Sequence, residues 1–227
     1  MSTMSTMSTM STMKISRDYS AREEVAHAVT HGVGAALSVA GLVLLILRAV
    51  ENGSAIHVVS FTVFGTSAVL LYSASTIYHA FANTKYQRLL KVVDHSLIYV
   101  LIAGSYTPFL LVGLKGSWGW SLFGVVWGLT IIGIVFKVFY AGRFKLASTL
   151  LYLGLGWMCV IAVKPMLANI PTPALGWLFA GGMAYSLGTV FYMRNRMVYH
   201  HAVWHVFVLA GTTCHFQAVY GYLAPAV

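Results

Sequence analysis

Apolar residues fill most of this chain in stretches of roughly 20, the length of helix that crosses a hydrocarbon core about 30 Å thick. They fall at about 32–47, 56–81, 94–114, 121–140, 147–163, 174–192 and 201–223, and the segments between them hold most of the charge. Seven membrane-crossing helices are therefore expected. The first stretch closes on Arg48, Glu51, Asn52 and Gly53. Pro108 should kink the third, and Pro165, Pro171 and Pro173 part the fifth from the sixth. Gly181, Gly182 and Gly188 suit close helix packing in lipid. Ahead of the first span, 21–31 reads as a short amphipathic helix facing solvent at the interface, with His27 and His31 in an interfacial role.

Composition narrows the class. The chain is 59% hydrophobic and 8% charged, where soluble domains carry about 25% charged residues. The fold class is an all-α integral membrane protein, and stretches this long and continuous exclude an outer-membrane barrel. Loops this short leave room for one seven-helix domain, 21–227. Residues 1–20 contain the triplet repeat MSTMSTMSTMSTM and read as a disordered, low-complexity leader. Cys159 and Cys214 lie inside apolar stretches and read as buried free thiols.

Net charge is +9, yet the basic residues form no stripe that would fit nucleic acid; they stand at the ends of the spans. One set of loops carries Lys14, Arg17, Arg22, Lys85, Arg88, Lys91, Lys137, Arg143, Lys145, Arg194 and Arg196, eleven in all. The other carries Arg48, Lys115 and Lys164. By the positive-inside rule the N-terminus is cytoplasmic, and seven spans put the C-terminus outside.

The stretch YHHAVWHVFVLAGTTCHFQAVY (199–220) holds His201 and His205 four residues apart, hence on one helical face. Two imidazoles sharing a face in an apolar span point to a divalent metal. His200 is out of phase, and His215 lies about 15 Å farther along the axis, too far to share an ion. The topology brings His79, in STIYHAF, and Asp94, in KVVDHSLIY, to the same leaflet, with Ser75 one turn above His79. Asp94 is the only carboxylate after Glu51. Three imidazoles leave a fourth position open for water, whose pKa a metal such as zinc lowers to about 7, and a nearby carboxylate can relay the proton. His95 should point away toward headgroups, and His57 lies at the opposite membrane side.

The S-x-x-x-H of Ser75 to His79, Asp94 and the H-x-x-x-H of His201 to His205 resemble the hemolysin III family, the bacterial branch of the progestin and adipoQ receptor superfamily, related to adiponectin receptors and alkaline ceramidases. EEVAHAVTHGVGA, LIAGSYTPFLLVGL and AVWHVFVLAGTTCHF belong to the same resemblance. It implies seven helices, a Zn2+ ion on His79, His201 and His205, and Asp94 and Ser75 around the zinc-bound water. It also implies a bacterial inner-membrane protein, and the loop charges place the zinc site near the cytoplasmic face. The expected function is hydrolysis of membrane lipids, ceramide-like amides or esters, in the inner leaflet. The alternatives are a non-catalytic regulator or sensor of membrane homeostasis with a structural zinc, and a cytolysin or pore, which seven resident spans and the lack of a charged row along one helix disfavour.

Overall fold

The structure, a computed structural model, describes residues 19–194 and 196–224. Apart from Tyr19 and Ser20, the expected leader lies outside the described residues. Among the described residues every regular element is helical. The α-helices are α1 (Ala21–Asn52), α2 (Ala55–Ala80), α3 (Gln87–Pro108), α4 (Gly116–Tyr140), α5 (Lys145–Gly156), α6 (Val163–Asn169), α7 (Thr172–Met193) and α8 (His200–Ala218).

Among the described residues, six segments are long and apolar enough to cross a membrane: α1, α2, α3 with its extension to Leu114, α4, α5 through α6, and α7. The seventh expected span corresponds to α8, which continues through a π-helical turn, Val219–Leu223. Its four histidines and Gln217 lower its mean hydropathy, and it is not among the six.

Burial gives the layering. The most apolar window of α3 is 72% buried, against 17% for α1 and α7, so α3 is the central helix and those two are peripheral. α1 packs along α2 and also against α8; α2 packs on α3, α3 on α4, and α7 on α8. The outward faces are apolar, as with Val25, Val29, Val33 and Leu37 on α1 and Ile131, Ile132, Val138 and Phe139 on α4. Such surfaces suit lipid, and helices satisfy their own backbone there.

The interfacial helix expected at 21–31 is not a separate element. α1 starts on a capping box, in which the Ser20 hydroxyl accepts from the Glu23 N–H and the Glu23 carboxylate accepts from the Ser20 N–H. It then runs unbroken for 32 residues. Gly32 and Gly34 do not interrupt it; a Cβ on Gly34 would collide with Leu209 and crowd Tyr72, so this glycine serves close packing.

Pro108 ends regular α-helical bonding in α3, and the chain widens into a π-helical turn, Phe109–Leu114, a common accommodation beside a missing N–H. The fifth span outruns its expected end at 163. A 3₁₀ turn, Met158–Ala162, joins α5 to α6, which reaches Asn169. Pro165 sits in the first turn of α6, where no intrahelical N–H is needed.

Candidate metal centre

His79 stands in the last turn of α2, and His201 and His205 in the first turns of α8. All three are buried, with one ligand atom of each within 4.8 Å of the others. The His79 ring centroid lies 5.2 Å from those of both His201 and His205. The imidazoles picked out by spacing and topology thus meet at one point.

Hydrogen bonds fix how two of these rings face. His79 Nδ1 lies 2.7 Å from Glu24 Oε2 and donates to that carboxylate, leaving Nε2 as the lone-pair nitrogen. His205 Nδ1 lies 3.3 Å from the His27 carbonyl oxygen and 3.1 Å from Thr30 Oγ1. The Thr30 hydroxyl spends its own proton on the carbonyl oxygens of Ala26 and His27, so Nδ1 of His205 carries the hydrogen and Nε2 is free to ligate. Orienting partners of this kind hold metal-binding imidazoles.

A divalent ion fits what is present. His79 Nε2 and His201 Nδ1 are buried nitrogens with no hydrogen-bond partner, a costly state that a metal ligand bond relieves. Three neutral imidazoles suit zinc-like ions, and a three-ligand set leaves a position open.

Asp94, in the third turn of α3, is 6% exposed and lies outside this three-histidine group. Its Oδ2 is 3.3 Å from His95 Nδ1. Ser75 is 1% exposed. Asp94 and Ser75 line a cavity of about 400 Å³ together with His201 and His205. Its remaining wall is mainly apolar and runs down to Met166, Leu178 and His215.

The profile of the family described as "Haemolysin-III related" matches residues 19–216. The chain belongs to this family. It is 49% identical over 204 residues to "Hemolysin-3 homolog" of Bacillus subtilis (strain 168), covering 90% of this chain and 96% of that protein. It is 46% identical over 204 residues to "Hemolysin-3" of Bacillus cereus, covering 90% and 93%. A more distant likeness, 27% over 167 residues, covers 71% of this chain and 69% of the human "Monocyte to macrophage differentiation factor", consistent with the wider receptor superfamily.

This haemolysin-III related chain also places near the candidate ion site three residues that sequence reasoning left out. Glu24, His27 and His31 share one face of α1. His27 and His31, expected in solvent at the interface, are 0% and 3% exposed. The His27 ring packs 4.8 Å from His79 and 4.9 Å from His201, and His31 stacks on His205 at 3.4 Å. Glu24, His27 and His79 form a second potential ligand group. A signal was available. Val25, Val29, Val33 and Leu37 repeat every four residues, and in lipid such a stripe faces outward, which turns the histidine face into the bundle.

His95 is also buried rather than turned to headgroups. The remaining histidines stand apart as expected. His200 Nδ1 pairs with the Phe191 carbonyl oxygen, His57 with Ser54 at the start of α2, and His215 Nε2 with the Leu178 carbonyl oxygen.

Proposed function

We propose that the chain is a zinc-dependent hydrolase of membrane lipids, built as seven spans with α8 as the last. Its N-terminus is cytoplasmic, its C-terminus lies outside, and its site sits near the cytoplasmic face of the bacterial inner membrane. One observation carries this reading: two histidines of the cluster, His201 and His205, line an apolar cavity of about 400 Å³ that Asp94 and Ser75 also line.

A divalent ion on these three histidines would supply Lewis acidity, polarising a carbonyl and making water more acidic. The other roles belong to the chain. The apolar wall takes the acyl chain and keeps bulk water out, which strengthens every polar contact inside. Asp94 accepts the proton of the attacking water and returns it to the leaving amine or alcohol. The Ser75 hydroxyl donates to the carbonyl oxygen as negative charge grows there. Glu24 holds His79 in the tautomer that presents Nε2. Amide or ester bonds of ceramide-like lipids are the substrates that this arrangement serves.

The test is hydrolysis of a panel of lipid amides and esters by purified, metal-loaded protein, wild type beside Asp94→Asn. The reading expects turnover that falls at least about a hundredfold in Asp94→Asn while metal content stays the same. Full metal loading with no turnover across the panel would overturn it.

A non-catalytic sensor is the second reading. It is favoured by the cluster's position, since the three histidines tie α2 to α8 with α1 packed against both. A metal there would contribute folding energy. On that reading His205→Ala lowers thermal stability sharply and Asp94→Asn leaves the cellular phenotype intact.

A further inference from the structure

A second cavity, of about 260 Å³, adjoins the ion site. Its lining includes Lys91, Lys137, Arg143 and Lys145, and among the described residues that line it there is no carboxylate. His95, Tyr192 and His201 line both this cavity and the apolar one, so the two meet beside the three-histidine cluster.

The loop cations alone would ask for nothing, because this end of the bundle carries the excess of positive charge. Lys137 is different. It lies inside α4 and is 2% exposed. Its Nζ donates to Ser148 Oγ at 2.7 Å and stands 5.2 Å from the Tyr152 ring and 6.0 Å from that of Phe136. These neighbours are neutral. A buried ammonium is expensive without a counter-charge, and within a membrane helix it faces a partner or a polar cavity. The cavity that Lys137 lines is where an anion would meet it, with Arg143 offering a planar fork of donors suited to phosphate.

We propose that this second cavity is a phosphate-binding site. The phosphate is either the headgroup of an anionic lipid or free inorganic phosphate. For a lipid, the acyl chain would lie in the apolar cavity, the phosphate against Lys137 and Arg143, and the acyl carbonyl between them. The inference rests on the lipid-binding part of the reading above and not on hydrolysis.

The experiment titrates zinc-loaded, full-length protein in detergent micelles with dioctanoylphosphatidylglycerol, dioctanoylglycerol and inorganic phosphate, following tryptophan fluorescence. Trp157 and Trp204 line the apolar cavity. The phosphorylated lipid should bind at least about tenfold more tightly than the neutral one, the scale of one charge-assisted contact. Lys137→Met should remove most of that preference, Lys137→Arg should restore much of it, and Arg143→Gln should weaken it severalfold. Arg143 lies on an exposed loop, so its variant keeps the test open if Lys137→Met misfolds. Competition by millimolar phosphate would show that free phosphate also occupies the site; a lysine-dependent preference without competition assigns the site to the headgroup. Equal affinities for the two lipids, or a preference that survives both Lys137→Met and Arg143→Gln, would overturn the proposal. Failure of the hydrolase reading would appear separately, as absent turnover with the binding ratio intact.

Discussion

Glu24 holds His79 through a single contact of 2.7 Å, and the affinity of the ion site should depend on it. Glu24→Gln keeps the shape and removes the charge. Metal affinity, measured by competition with a chelator, is expected to fall about 10- to 100-fold, as for other orienting partners of ligating histidines. Unchanged affinity would make Glu24 a bystander. Asp94 carries the opposite expectation: its substitution by Asn spares metal binding and removes turnover, because it stands outside the ligand group. Comparing the two variants separates a residue that holds the metal site from one that performs the chemistry.

At the scale of elements, much of the helical architecture was readable because apolar length is a local property. The i, i+4 pair of α8 was equally plain, and His79 followed from topology. Two features were missed, each for a physical reason. The polar face of α1 was assigned to water by a rule suited to soluble helices; with lipid outside, the same face turns inward. The break between α5 and α6 depends on a distant residue. The Tyr106 hydroxyl, from α3, donates to the Gly156 carbonyl oxygen at 2.6 Å and accepts from the Cys159 N–H at 3.0 Å, satisfying backbone groups that the 3₁₀ turn leaves over. Nothing near residue 157 announces this. Helix contact also gives a prediction. A Cβ on Gly104 of α3 would strike the Ser67 side chain of α2, whereas one on Gly124 of α4 meets nothing within 4 Å. Gly104→Val should destabilise the protein by about 1–3 kcal/mol in reversible unfolding in micelles, and Gly124→Val should have little effect. Equal losses would mean that the α2–α3 contact is looser than described.

Across the whole molecule, the bundle puts ion site, apolar cavity and cationic cavity at connected depths. Orientation can be tested on the exposed Lys115 and Arg143, which flank α4. In a background lacking Cys159 and Cys214, Lys115→Cys should react with a membrane-impermeant maleimide in intact cells, and Arg143→Cys only after permeabilisation. The reverse pattern would invert the assigned topology. The most direct test of the central claim is metal content by mass spectrometry of purified wild type, His79→Ala, His205→Ala and His57→Ala. The account predicts about one zinc per chain in wild type and His57→Ala, and near-complete loss in the other two. Wild type devoid of metal, or His79→Ala and His205→Ala that retain it in full, would contradict it.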